Sequence, residues 1–326
     1  MQRVLLLATA AVITAALSMS SASFAQNRPW GESYIPNLPV VTQDGKTVRF
    51  YDDLVKGKIV IISFIYTSCT DICPLTTARL SQLEEKLGDL VGRDIFMISM
   101  TVDPQRDTPQ RLKDFSGAFQ TGPGWTFVTG NPEDIRAINF KFGERSRLLS
   151  EHRNEIVLGN DATGEWQRDS AFGDLNRLVL TVKALDPKWH DQVRTPAHNS
   201  ASDTGLAMSD QPGQALFKKI CAPCHTIGVG DRVGPDLRGV TTRRERAWLS
   251  AYIQNPARLR ALRDPAALAL AEKYPAVRMP ILGVAQHDAG DLIAYLDAEA
   301  SRLHAAQGPS LPDRQQNPNS HQDHHH

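Results

Sequence analysis

The four cysteines of this 326-residue chain fall into two pairs whose spacings suit different chemistry. The second pair lies in Cys221-Ala-Pro-Cys224-His225. A C-x-x-C-H segment supplies two thiols for the vinyl groups of a haem and an imidazole for its iron. The first pair, in Cys69-Thr-Asp-Ile-Cys73, has three intervening residues and no adjacent histidine. Its sulfurs therefore stay available for a metal ion or for thiol–disulfide exchange.

Length and charge narrow the class of protein. A chain of 326 residues is long enough for about two domains, and 41% hydrophobic residues can form ordinary cores. The formal net charge is zero, so nothing indicates a nucleic-acid partner or an anionic membrane surface. Two basic clusters, Arg243-Arg244-Glu245-Arg246 and Arg258 to Arg263, are typical of solvated helix faces. A docking patch for an acidic redox partner is the alternative.

The N-terminus has the pattern of an export signal. Arg3 precedes an apolar run from Val4 to Leu17, and Ser23-Phe24-Ala25 offers a small-x-small cleavage site. We therefore predict a signal peptide over residues 1–25 and a periplasmic protein, which suits covalent haem attachment. The uncharged stretch from Val4 to Gln26 is also long enough for an uncleaved inner-membrane anchor facing the periplasm, and only then would the chain contact the membrane.

Residues 26–186 alternate strand and helix patterns, which predicts an α/β domain of the thioredoxin-like class. Residues 26 to about 50 form a polar lead-in with no predicted element. After it we predict buried strands at 58–66, 95–102 and 125–128, helices beginning near 74, 109 and 132, a hairpin over 155–168, and a last helix carrying apolar residues from Phe172 to Leu185.

The first cysteine pair follows the first buried strand and begins a helix at Pro74. A helix N-terminus favours the thiolate, so we expect a lowered thiol pKa there. Thiols four residues apart can face one point at the first turn. The one histidine between residues 26 and 186 is His152, a candidate third ligand or a surface residue. A structural disulfide is the other possibility for Cys69 and Cys73, although so small a loop adds little stability.

Residues 187–207 read as a linker, 208–303 as an all-α domain, and 304–326 as a disordered tail that contains histidines. The tail histidines suit a purification remnant or transient copper capture. His225 would be the proximal haem ligand. The sixth ligand is usually Met or His, and Met279 is the one methionine after residue 225. His287 and His304 are its rivals, and Met279 could instead fill the core.

Three segments of the first domain, in order, are similar to motifs of the SCO/SenC family of copper-binding, thioredoxin-like assembly factors. They are Tyr66-Thr-Ser-Cys69-Thr-Asp-Ile-Cys73-Pro74, the stretch Thr101 to Pro109 with its D-P-x-R-D-T-P pattern, and His152 to Gly164. The resemblance covers about residues 30 to 186. It implies that Cys69, Cys73 and His152 bind copper, with Asp71 in an outer position at most.

The second domain resembles a class I cytochrome c over about residues 208 to 303. The resemblance rests on the C-x-x-C-H segment, on Gly234-Pro-Asp-Leu-Arg-Gly239, on the step Met279-Pro280, and on Gly213 and Phe217 in the lead-in helix. It implies haem c attached to Cys221 and Cys224.

The leading hypothesis is a periplasmic copper chaperone or redox assembly factor. It would serve a cuproprotein, such as a cytochrome oxidase subunit, and would carry a fused haem for one-electron transfer. The enzymatic alternative is a thiol–disulfide oxidoreductase in which Cys69 and Cys73 are the catalytic, redox-active thiols. A third possibility is an electron-transfer protein whose first domain serves only to dock a redox partner.

Overall fold

A mixed β-sheet organises the N-terminal part of the chain, and helices alone build the C-terminal part. A computed structural model describes residues 30–145, 148–149, 154–190 and 213–306. The predicted signal peptide, His152, residues 191–207 of the predicted linker and residues 307–326 of the predicted tail lie outside these ranges. The first residues of the predicted linker form the short helix Pro187–His190, and the first residues of the predicted tail end a helix at Ala306. The predicted fold class, an α/β domain followed by an all-α domain, is confirmed.

The described sheet has seven strands in the spatial order β2-β1-β5-β4-β3-β6-β7. The strands β3, β4 and β5 run parallel, whereas β1, β2, β6 and β7 pair antiparallel with their neighbours. Their bounds are β1 Pro39–Thr42, β2 Thr47–Arg49, β3 Ile59–Ile65, β4 Ile95–Thr101, β5 Trp125–Thr129, β6 Glu155–Asn160 and β7 Glu165–Ser170.

The central strand β3 is buried along its whole length, as its continuous apolar sequence predicts. Successive side chains point to opposite faces of a sheet. Accordingly, Ile59, Ile61 and Ile65 belong to the apolar cluster on one face. Val60, Ile62 and Phe64 belong to the cluster on the other. The first cluster also contains Cys69 and Cys73, so the first cysteine pair is packed into one face of this core.

Five α-helices are interleaved with these strands or come after them in the described part of the N-terminal half. They are α1 Cys73–Leu87, α2 Pro109–Ala118, α3 Pro132–Lys141, α4 Leu175–Ala184 and α5 Pro187–His190. Side-chain caps fix where several begin. The Thr108 hydroxyl accepts a hydrogen bond from the Arg111 amide at 3.3 Å, which starts α2 as predicted. The Asp174 carboxylate accepts one from the Arg177 amide at 2.8 Å. Because this cap starts α4 at Leu175, the prediction that the helix includes Phe172 is wrong.

The segment before residue 50, which we predicted to be a polar lead-in, also differs from the prediction. It contains β1 and β2, which form a hairpin, and β1 adds to the sheet beside β5. Val40 of β1 is fully buried. The hairpin is too short to show a period in the sequence, and its pairing with β5 stabilises it.

The C-terminal part begins with α6 Gln214–Leu216, which continues as a wider turn over Phe217–Cys221. It proceeds through α7 Val240–Arg243, α8 Arg246–Gln254, α9 Pro256–Ala261, α10 Pro265–Lys273 and α11 Gln286–Ala306. Gly213 approaches α11 so closely that a Cβ atom there would lie 2.3 Å from the Asp291 carbonyl oxygen. Next to this crossing, the rings of Phe217 and Tyr295 lie 5.3 Å apart. The lead-in and last helices thus pack against each other at Gly213 and Phe217.

Candidate functional site

The first cysteine pair lies at the carboxyl end of β3, where the chain turns into α1. Cys69 belongs to the turn after β3, and its amide donates to the Tyr66 carbonyl at 3.1 Å. Cys73 is the first residue of α1. Both are buried, with 6% and 1% of their surfaces exposed. The two sulfur groups hydrogen-bond to each other, and no disulfide joins them.

The hydrogen bond from Cys69 is the main reason that the pKa of the Cys73 thiol is raised, and burial adds to the effect. The expectation of a lowered pKa at this helix N-terminus is therefore wrong for Cys73. The adjacent sulfur and the apolar surroundings outweigh the helix end. Tyr66 also takes part: its pKa is raised by burial and by a hydrogen bond to Cys69. The tyrosine begins the motif quoted above, but the sequence analysis assigned it no role.

A buried carboxylate holds the turn before Cys69. Asp107 has no exposed surface, and its oxygens accept from the Thr67 amide at 3.2 Å and from the Thr67 hydroxyl at 2.5 Å. The Thr101 hydroxyl donates to it as well, at 2.6 Å. Burial raises the pKa of Asp107, and these hydrogen bonds oppose that rise. The D-P-x-R-D-T-P segment therefore acts through the turn, because Asp107 fixes Thr67 two residues before Cys69.

Of the other predicted residues of this site, Asp71 is exposed. His152 lies outside the described residues, so its predicted role as third ligand stays a prediction. The part of the chain that the structure describes contains no cluster of three or more His, Cys, Asp or Glu side chains able to hold a metal.

The second cysteine pair lines a cavity of about 540 Å³ in the helical region. This volume falls in the usual range for sites that hold a cofactor, roughly 300–1,000 Å³. Cys221, Cys224, His225 and Met279 all contribute to its wall. Burial raises the pKa of each thiol to about 12 and lowers that of His225. His287 and His304, the rival ligands, are exposed and do not line the cavity.

The surroundings of His225 fit a proximal haem ligand. Its Nδ1 lies 2.8 Å from the Pro235 carbonyl oxygen, which assigns the proton to Nδ1 and leaves Nε2 for the iron. Gly234 leaves the room that the ring needs, because a Cβ atom there would lie 2.5 Å from His225 Cε1. These observations are what a haem attached to Cys221 and Cys224 requires, so the residues present fit that group.

Three arginines contribute to the same cavity, a position that no local pattern in the sequence indicates. Arg243, Arg244 and Arg260 belong to the clusters interpreted as solvated helix faces or as a docking patch. Their guanidinium groups suit the carboxylates that a haem carries. They come from two short helices and the residue after one of them. Their convergence on one cavity therefore follows from the packing of the helices.

Residues 32–157 match the SCO1/SenC family model, and residues 211–298 match the cytochrome c family model. After these matches we name residues 32–157 the SCO1/SenC region and residues 211–298 the cytochrome c region. An SCO1 protein homologue of Bacillus subtilis is 38% identical over 89 residues, which are 27% of this chain and 45% of the relative. A protein of Stutzerimonas stutzeri described as copper-binding is 32% identical over 112 residues, 34% of this chain and 53% of that protein. The chain thus spans about half the length of the curated relatives it matches.

Two solved structures are similar to part of this chain. BsSco, described as a member of the Sco family of cytochrome c oxidase assembly proteins, is 26% identical with a TM-score of 0.41, over 47% of this chain and 92% of that one. Bradyrhizobium japonicum ScoI with copper bound is 22% identical with a TM-score of 0.39, over 46% and 99%. In the described ranges of this chain, no helix has the length and apolar character to cross a membrane.

Proposed function

We propose that this chain is a periplasmic copper chaperone or redox assembly factor with its own haem-carrying region. Cys69, Cys73 and His152 would hold copper as cargo. The recipient would be a cuproprotein such as the copper-bearing subunit of a cytochrome oxidase. An N-terminal signal peptide would export the chain, with an uncleaved inner-membrane anchor as the alternative.

The observation that carries this proposal is the pairing of the two sulfurs inside a region that matches the SCO1/SenC family. Cys69 and Cys73 lie within hydrogen-bonding reach of each other, so both can approach one ion. Thiolates are the soft ligands that copper(I) prefers, and imidazole suits copper in either oxidation state. Binding of copper requires both thiols to lose their protons, which the cation itself promotes.

In the cytochrome c region, haem would supply one-electron transfer when bound. Cys221 and Cys224 would attach it, the Nε2 of His225 and the sulfur of Met279 would hold its iron, and the cavity arginines would bind its carboxylates. The Pro235 carbonyl orients the His225 ring by accepting from Nδ1. The change between copper(II) and copper(I) also involves one electron, whereas a disulfide needs two. One-electron transfer by the haem therefore suits a change in the oxidation state of copper better than it suits the reduction of a disulfide.

Copper stoichiometry tests the site directly. The haem-loaded chain should bind one copper(I), and Cys69→Ala and Cys73→Ala should each abolish stable binding. His152→Ala should weaken binding strongly, whereas the matched control His304→Ala, which alters an exposed histidine of α11, should leave it unchanged. Unchanged binding in all three site variants would overturn the proposal.

A thiol–disulfide oxidoreductase is the second candidate, because two thiols in hydrogen-bond contact can also form a disulfide. It predicts rapid turnover of a disulfide substrate by copper-free protein and loss of that turnover in Cys73→Ser. Slow turnover by copper-free protein together with tight copper binding would favour the chaperone.

A further inference from the structure

The cytochrome c region contacts the loop that carries the first cysteine pair. The Ile281 amide donates a hydrogen bond to the Thr70 carbonyl oxygen at 3.2 Å. Thr70 directly follows Cys69, and Ile281 lies two residues after Met279. A backbone hydrogen bond therefore links the segment with the candidate haem ligand to the segment with the candidate copper ligands.

Apolar packing continues this contact on both sides. Val233 and Val277 of the cytochrome c region are buried in the same cluster as Cys69 and Cys73, and Cys224 packs against that cluster. In return, Leu75 of α1 forms part of the wall of the haem cavity. Leu75 lies two residues after Cys73 and is only 4% exposed. The two candidate sites thus share one apolar boundary.

An ion pair lies beside this boundary. Arg232 of the cytochrome c region pairs with Glu85 of α1. The Arg232 side chain is only 22% exposed, whereas that of Glu85 is 60% exposed. The same segment supplies both the cation and the buried Val233, so charge and apolar contact act together there.

We propose that the face of the SCO1/SenC region around Cys69 and Cys73 is a shared interaction surface, which the cytochrome c region occupies and which a copper recipient must also use. The recipient would be a protein with thiolate or imidazole copper ligands of its own, because ligand exchange requires both sets of ligands to reach one ion. Cys69 and Cys73 are almost fully buried, and Val233 and Val277 of the cytochrome c region pack in the same cluster. The cytochrome c region must therefore move away before such a protein can reach the two thiols. The identity of the recipient rests on the proposed function. The shielding of the two thiols by the cytochrome c region does not.

Thiol labelling of the haem-loaded, copper-free chain tests this proposal. Cys221 and Cys224 are consumed by haem attachment, so a maleimide reports on Cys69 and Cys73 alone. Arg232→Glu should raise the labelling rate about two- to fivefold, the range that an exposed ion pair supports. Glu85→Arg should do the same, and the double reversal Glu85→Arg with Arg232→Glu should restore the original rate. Ile281→Pro, which removes the amide donor to Thr70, should also accelerate labelling.

Arg246→Glu is the matched control. It breaks an ion pair with Asp297 that lies wholly inside the cytochrome c region, and it should leave the labelling rate unchanged. Equal rates in the wild type, both single reversals and Ile281→Pro would overturn the shared surface. Extraction of copper(I) by a soluble chelator should follow the same order of variants. If labelling follows that order but the cysteine variants still bind copper normally, the copper proposal fails and the shielding stands.

Discussion

Gly234 leaves space for the His225 ring, and replacing it with alanine should displace the imidazole. The new Cβ would lie 2.5 Å from Cε1, 3.0 Å from Nδ1 and 3.2 Å from Nε2. Carbon atoms prefer separations of about 3.5–4.0 Å, so the ring must move by about 1 Å. A shift of that size takes Nδ1 out of hydrogen-bond range of the Pro235 oxygen, which now lies at 2.8 Å.

The cost has two parts. Overpacking a filled site typically costs about 1–3 kcal/mol. A lost intramolecular hydrogen bond costs about a further 1 kcal/mol. We therefore expect Gly234→Ala to lower the free energy of unfolding of the haem-loaded cytochrome c region by about 2–4 kcal/mol. Its melting temperature should fall by roughly 10 °C or more, since 1 kcal/mol shifts a domain of this size by about 4–8 °C.

Thermal unfolding followed by haem absorbance measures this change, and the visible spectrum reports weakened axial ligation at the same time. Gly290→Ala is the matched control, because nothing lies within 4 Å of its new Cβ. It should raise the stability by about 0.5–1 kcal/mol, as alanine is favoured over glycine inside a helix. If Gly234→Ala matches the wild type in both melting temperature and spectrum, the His225 ring is not held as described.

Three further predictions concern the SCO1/SenC region. Asp107→Ala should lower the free energy of unfolding by about 2–3 kcal/mol, because three donors lose their buried acceptor. Urea titration measures this change, and a loss below about 0.5 kcal/mol would contradict the role of Asp107. Burial raises the pKa of Glu84, so its contribution to stability is present below its unfolded pKa and is lost as pH rises through the folded pKa. Glu84→Gln should therefore reduce the fall in stability above about pH 4.5, and an unchanged pH profile would refute this. Trp125→Phe removes the donor to the Ser99 hydroxyl at 2.9 Å and leaves a cavity at a buried position, so it should cost at least about 2 kcal/mol in the same titration. A stability equal to that of the wild type would contradict both contributions.

Elements with a strong period were predictable from the sequence. Strand β3 reads as buried because every residue from Ile59 to Ile65 is apolar or small, and α2 begins at its Thr108 cap. The hairpin of β1 and β2 was not predictable, because its pairing with β5 is a long-range contact that leaves no local pattern. The first residue of α4 was missed because apolar spacing extends through Phe172, whereas the Asp174 cap decides the boundary.

Some features of the two sites were likewise predictable from local sequence, and others were not. Local motifs single out Cys221, Cys224, His225 and Met279, and all four line one cavity. Their roles in attaching haem and holding its iron stay predictions. The raised pKa of Cys73 was not predictable, since it depends on the Cys69 sulfur and on burial rather than on the helix end alone. The contact between Ile281 and Thr70 was equally hidden, because nothing local in either segment indicates the other.

X-ray absorption spectroscopy of the copper(I)-loaded, haem-containing chain tests the central claim most directly. Two sulfur ligands and one imidazole nitrogen around copper are expected in the wild type, with the nitrogen lost in His152→Ala. No stably bound copper is expected in Cys69→Ala or Cys73→Ala. A copper environment without sulfur, or one that stays the same in both cysteine variants, would contradict the assignment of Cys69 and Cys73 as copper ligands.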